Sequence, residues 1–172
     1  SVVGTPSYHV QKIMSDNLPT RALKVTRGAQ TLFPANDIYT PESSYVGIAT
    51  WNTNATFKDI MMRAGDYTVF TTATKAHDIT VRSMGWTFGK DGATQHDIAE
   101  NQSALVNVPI GGRKYTVTMR ARKNSGDEGF MLMFNYADND NYCWLNLGGW
   151  QNTNHGIEQV CQGGQTVLCQ TH

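Results

Sequence analysis

The 172-residue sequence predicts an all-β domain, and three observations carry that expectation. Beyond Pro19, short alternating runs are separated by Gly, Asn, Asp and Ser, with few strong helix formers between them. In Lys114 to Arg122, Tyr115, Val117, Met119 and Ala121 fall on one face while Thr116, Thr118, Arg120 and Arg122 fall on the other. That two-residue period belongs to a half-buried strand. Gly129 to Tyr136 sets Phe130, Leu132, Phe134 and Tyr136 against Met131, Met133 and Asn135, so both faces are largely apolar and the strand is expected to be central.

The elements follow in order. One helix is expected at the start, with Thr5 as N-cap, Pro6 in the first turn, and Val10, Ile13 and Met14 at helical spacing. Asn17-Leu18-Pro19 ends it, because the residue before a proline is driven out of the α region. Residues 1–25 are thus read as helix and linker, and 26–172 as the β domain. Tyr45 to Trp51 and Ala55 to Ile60 read as strands around an Asn52-Thr53-Asn54 turn, with shorter strands at Tyr67 to Phe70 and Ile79 to Arg82. Asp138-Asn139-Asp140-Asn141 reads as a hairpin turn leading into Tyr142 to Leu147. On that strand Tyr142, Trp144 and Asn146 share the face opposite Cys143, Leu145 and Leu147, one ligand-like and one core-like.

Composition narrows the function. Lys plus Arg equals Asp plus Glu, 14 each, so the global field favours neither nucleic acid nor an anionic membrane. The sequence holds neither a membrane-spanning apolar stretch nor an intact signal peptide, as expected of a mature secreted chain. Asn54-Ala55-Thr56 and Asn101-Gln102-Ser103 are glycosylation sequons compatible with secretion. The spacing of Cys143, Cys161 and Cys169 is not that of a zinc site, and three cysteines cannot all pair within one chain. A Gly163-Gly164 turn would place Cys161 opposite Thr166 and Cys169 on the other face, against a 161–169 bridge. Cys143 and Cys161 come near each other if their strands pair, although two small buried thiols are the plainer expectation. The Asp138 to Asn141 turn offers too few converging oxygens for calcium, and no cofactor is expected.

The segment from Asp127 to Glu158 concentrates the groups a hydroxyl-rich ligand requires. Trp144 and Trp150 supply flat apolar faces, while Glu128, Asn146, Asn152 and His155 supply directional donors and acceptors. Each has a plainer reading: core burial for the tryptophans, loop backbone satisfaction for Asn146, Asn152 and His155, and a solvated carboxylate for Glu128. Trp150, after two glycines in a polar loop, is the better candidate for a ligand face. Glu128 and Glu158 also admit a reading as a glycosidase acid and nucleophile pair, which nothing else in the sequence supports.

Three segments resemble the retaining glycoside hydrolases known as α-L-arabinofuranosidases, in a subset with an accessory β-sandwich beside the catalytic barrel. Val3 to Lys12 resembles the start of the last barrel helix. Val46 to Thr53 with Phe57 to Ile60 resembles the strand pair between barrel and sandwich. Ala121-Arg122-Lys123, Gly126 to Phe130 and Asn146 to Thr153 resemble the signature of the sandwich itself. The resemblance implies a jelly-roll or concanavalin A-like β-sandwich. It also implies that the barrel strands bearing the two catalytic glutamates have no counterpart here, so that the chain is no enzyme. Cys143 stands where an aromatic is expected, and Leu145 follows Trp144 where the family has Asn, which implies a smaller stacking surface.

Relatives continue past the strand of Glu158 with strands that close the sandwich, so the sandwich is expected to be incomplete and its edge covered by a second copy or a complementing chain. The expected function is an extracellular, non-catalytic carbohydrate-binding module for arabinose-containing plant polysaccharide. The alternatives are a self-assembling structural protein on the same sandwich, or a fragment of a full hydrolase.

Overall fold

The computed structural model describes residues 43–72, 78–90, 92–110 and 115–172, together with the backbone of four earlier strands. In chain order, those four are β1 (Ser7–Tyr8), β2 (Lys12–Asn17), β3 (Arg21–Arg27) and β4 (Gln30–Asn36). β5 (Tyr45–Thr50), β6 (Thr53–Ala64), β7 (Tyr67–Thr71), β8 (Ile79–Val81), β9 (Trp86–Gly89), β10 (Gly92–Gln95) and β11 (Gln102–Val106) follow. The last are β12 (Tyr115–Gly126), β13 (Phe130–Asp138), β14 (Asn141–Gly148), β15 (Asn154–Cys161) and β16 (Gly164–Thr171).

Two antiparallel sheets form an all-β sandwich. The first runs β4-β3-β2-β12-β6-β10-β9, with β1 also on β12 and β7 also on β6. The second runs β16-β15-β14-β13-β5-β11-β8. Trp51 and Asn52 therefore carry the chain from one sheet to the other, and β5 and β6 do not pair as a hairpin. Trp51 N donates to Gly129 O (3.1 Å) and Asn52 N to Ala99 O (2.9 Å), which satisfies the crossing backbone.

The core lies between the sheets. Phe57, Ile60, Met62, Val117, Met119 and Ala121 from the first meet Val46, Ile48, Phe130, Leu132, Phe134, Cys143, Leu145 and Ile157 from the second. The alternation expected for β12 holds, with Tyr115, Val117, Met119 and Ala121 all buried. Two left-handed residues reset the alternation elsewhere. Asp59 (φ 50°) makes a bulge on β6, after which Ile60 and Met62 face inward where Ala55 and Phe57 did before it. Asn135 (φ 50°) does the same on β13, and this corrects one assignment: Tyr136 leaves the side of Phe130, Leu132 and Phe134 and joins Met131 and Met133 outside. Asn135 instead faces inward and accepts a hydrogen bond from the Tyr115 hydroxyl (3.1 Å).

Other expectations are corrected too. Ser7–Tyr8 and Lys12–Asn17 are strand, not helix, while Thr5, Pro6 and Val10 lie outside the described residues. Ile13, Met14 and Ser15 pair with Val117, Thr116 and Tyr115, so sheet pairing outweighs a local helical spacing. The last hairpin turns at Gln162-Gly163 (φ 50° and 77°), the left-handed pair that a type I′ turn requires, which places Cys161 opposite Gly164 and Thr166 opposite Gln159. All three cysteines are free: Cys143 buried, Cys161 exposed and Cys169 between. Both faces of β13 are covered within the chain: β5 and β14 pair its edges, and Phe130 to Tyr136 are all buried, in the core on one side and in the aromatic cluster on the other. The apolar faces of β13 therefore give no motive of their own for the second polypeptide expected at the sheet edge.

Candidate functional site

The outward face of the second sheet carries its own apolar cluster. Ala49, Met131, Met133, Tyr136 and Trp144 are buried there, with Tyr45, Trp51, Leu105 and Tyr142 packed against them. Period-two strands produce this directly: residues between the core positions of β5, β13 and β14 all point outward. The rings form a row in which Trp51 meets Trp144 edge-on at 6.2 Å, Trp144 meets Tyr142 at 5.2 Å, and Tyr142 stacks on Tyr136 at 5.9 Å. Burial raises the pKa of both tyrosine hydroxyls, and the Arg82 charge pulls each partly back.

A tight loop closes one end of this face. β14 ends at Gly148, and Gly149–Asn152 turn with Trp150, Gln151 and Asn152 all left-handed (φ 49°, 58° and 64°). For residues with a Cβ this costs about 1–2 kcal/mol each, least for Asn. The neighbourhood holds the turn in place. Thr153 N donates to Gly149 O (3.1 Å), Thr153 Oγ1 to Trp150 O (2.6 Å), and Gln151 N to Glu128 Oε1 (3.1 Å). Lys123 Nζ reaches both Glu128 O (2.7 Å) and Asn152 Oδ1, tying the loop to the segment before β13. Burial pulls the Lys123 ammonium below the ordinary lysine range, and Asp127 and Glu128 partly offset that.

Two glycines make the close approaches possible. A Cβ on Gly156 would stand 2.8 Å from the Trp150 ring, so the bare backbone of β15 is what lets that indole lie against it. A Cβ on Gly129 would stand 1.8 Å from Asn146 Oδ1, which fixes the Asn146 amide against the chain.

Between loop and aromatic row lies an open pocket of about 180 Å³. Trp51, Trp144 and Trp150 line it with Met131, and Glu128, Asn146, Glu158 and Gln165 supply the polar wall. Glu158 is only 4% exposed, and its carboxylate accepts from Asn146 Nδ2 (3.1 Å) and Gln165 Nε2. Trp144 Nε1 and Asn146 Oδ1 are buried without a protein partner among the described residues. Thr50 Oγ1 and Asn154 Oδ1, neither of them lining the pocket, share that condition.

The structure therefore brings Trp144, Trp150, Asn146 and Glu128 together. Asn152 and His155 stand behind the pocket instead. Asn152 accepts from Lys123, and His155 Nδ1 accepts from Gly148 N (2.9 Å), so both hold the loop rather than line the cavity. Trp51, Met131, Glu158 and Gln165 were not among the expected binding residues. Glu158 was legible in principle, because Trp144 lies opposite it once β14 and β15 pair; Gln165 needs the register of the last hairpin. Asp138 uses its carboxylate inside its own turn, accepting from Asp140 N (2.8 Å) and Asn141 Nδ2 (2.9 Å).

The chain is 30% identical over 170 residues to an extracellular exo-alpha-L-arabinofuranosidase of Streptomyces chartreusis, a match covering 94% of this chain and 20% of that protein. The chain thus spans about a fifth of the length of the curated relative it matches. It is related to that arabinofuranosidase. No protein-family model matches the chain, and neither does any solved structure. Among the described residues no helix is long and apolar enough to cross a membrane.

Proposed function

We propose that this chain binds carbohydrate, without catalysis, in the pocket on the outward face of its second sheet. One observation carries the reading: three tryptophan rings and four amide or carboxylate side chains converge on an open cavity in which a buried indole N–H and an amide oxygen lack protein partners. Sugar rings offer C–H faces to indoles and hydroxyls to amides and carboxylates, which is what such walls complement. Net gains near 1 kcal/mol per hydrogen bond make the affinity of a single shallow site modest. The name of the relative points to an arabinose-containing polysaccharide as the ligand class and to an extracellular setting.

Glu128 and Glu158 line the same pocket, but each carboxylate is already engaged by an amide of this chain, which favours holding a ligand over proton transfer. Titration calorimetry with arabinan and arabinoxylan oligosaccharides tests the reading. Trp150→Ala is expected to lower affinity at least about tenfold while the melting temperature changes little, since the indole is only part-buried in a loop. Unchanged affinity, or collapse of the fold, would refute the role of Trp150. Release of nitrophenol from a nitrophenyl arabinofuranoside, abolished by Glu128→Gln or Glu158→Gln, would overturn the non-catalytic assignment.

A further inference from the structure

Beyond the tryptophan pocket, the same sheet face holds a second cavity of about 270 Å³. Arg82, Asn101, Ser103 and Asn139 line it, with Met133, Tyr136 and Tyr142 as its floor. The two cavities are neighbours along the strands. Met131 and Trp144 line the first while Met133 and Tyr142, each two residues away on the same strand and face, line the second. Two residues along a strand amount to roughly 7 Å, a step that adjacent sugar units of one chain can span. A ligand long enough to occupy both cavities would lie along the strands.

Their charges are opposite. The first presents Glu128 and Glu158, whereas among the described residues none lining the second is acidic and Arg82 is the one that carries a formal charge. The guanidinium is held by neutral partners, donating from one terminal nitrogen to the Tyr136 hydroxyl and from the other to Asn139 Oδ1, with its carbon 4.9 Å from the centre of the Tyr136 ring. Such a clamp orients the fork without neutralising it. Of the two carboxylates in the adjoining turn, Asp138 accepts from Asp140 N and Asn141 Nδ2, and neither Asp138 nor Asp140 lines the cavity, although both charges act on its tyrosine floor. An oriented arginine with its charge uncompensated in the cavity suits an anionic group on the ligand.

We infer that the two cavities together recognise an acidic oligosaccharide, with a neutral sugar against the tryptophans and the carboxylate of an adjacent uronic acid unit at Arg82. This rests on the carbohydrate-binding reading and adds to it a ligand class of mixed neutral and acidic sugars. The polar rim of Asn101, Ser103 and Asn139 supplies amide and hydroxyl groups for the hydroxyls of that unit.

The test uses a glucuronic-acid-substituted xylo-oligosaccharide, its carboxyl-reduced neutral counterpart and a sulfated counterpart, titrated into chain made in a bacterial host so that the Asn101 sequon on the rim stays unmodified. The uronate probe is expected to bind about tenfold more tightly than the neutral one, the scale of one charge-assisted hydrogen bond. That advantage is expected to shrink between low and high salt, because the arginine is exposed. Arg82→Gln should erase the preference, bringing the uronate's affinity down to that of the neutral probe measured on the same variant, and Arg82→Lys should retain part of it. Equal binding of acidic and neutral probes by the unmutated chain overturns the inference and leaves the carbohydrate reading standing. Preference for the sulfated probe over the uronate overturns the choice of carboxylate. Binding of no probe, nor of the arabinan set, overturns both.

Discussion

The two faces of the second sheet are buried to a similar degree and built differently. Inward, Phe130, Leu132, Cys143, Leu145 and Ile157 are 0–1% exposed and pack in the core between the two sheets. Outward, Met131 and Trp144 are 1% and 3% exposed, yet no second sheet covers them; they are shielded by neighbouring rings and a left-handed loop. The inward face is a packed interior. The outward face sets two buried polar atoms without a partner among the described residues, Trp144 Nε1 and Asn146 Oδ1, beside an open cavity. Burial by itself thus fails to separate core from site, and so does an unpartnered polar atom, since Thr50 Oγ1 on the inward face is one too; the open polar-walled cavity is what marks the outward face.

Truncation on the inward face is expected to have the largest effect. Leu145→Ala should lower stability by about 2–5 kcal/mol, because a fully buried side chain leaves a cavity that the opposite sheet cannot collapse to fill. Denaturant melts measure this, and a loss below about 1 kcal/mol would mean the core is more plastic than its packing implies. Affinity for oligosaccharide below the melting range should stay the same, since Leu145 points away from the pocket.

Trp144→Phe probes the outward face with a ring-preserving change. Stability is expected to shift by less than about 1.5 kcal/mol, because lost indole area is offset by removal of an unpartnered N–H. Carbohydrate affinity should fall roughly fivefold if that N–H serves a ligand hydroxyl. Affinity equal to that of the unmutated chain would assign Trp144 to packing alone and collapse the distinction between the two faces.

A smaller effect is expected from the loop. Gln151 is exposed at φ 58°, so Gln151→Gly should stabilise the chain by about 0.5–1 kcal/mol, the relieved left-handed strain exceeding the added freedom of the unfolded chain. A melting temperature that drops instead would show that the side chain, not the surroundings, holds the turn.

The smallest readout is chemical. Burial pushes the Cys143 thiol up to about 12, so at pH 8 a disulfide-exchange reagent should label Cys161 first, Cys169 more slowly and Cys143 only after unfolding. The same shift has a sign for stability. The folded state keeps the proton that the unfolded chain releases, so this contribution is intact below about pH 8.5 and is lost as pH rises towards 12. Prompt labelling of Cys143 in the native state would mean that water reaches the inward face.

Alternation in β12 and β14, the centrality of β13 and the Asp138 to Asn141 turn were legible in the sequence, because a strand's two faces are written in its own period. So was the concentration of Trp, Asn and Glu between Asp127 and Glu158. Tertiary structure decided the rest. The bulges at Asp59 and Asn135 rest on single left-handed residues that no periodicity announces, and the second of them moved Tyr136 to the other face. Pairing with β12 turned an apparent helix at Lys12–Asn17 into a strand. Sheet order brought Trp51 to the pocket from far along the chain, hairpin register set Glu158 and Gln165 beside each other there, and Asn152 and His155 were left out of its lining. Local composition states which chemistry a chain carries; which of those groups converge is set by long-range pairing, whose partners a single strand does not encode.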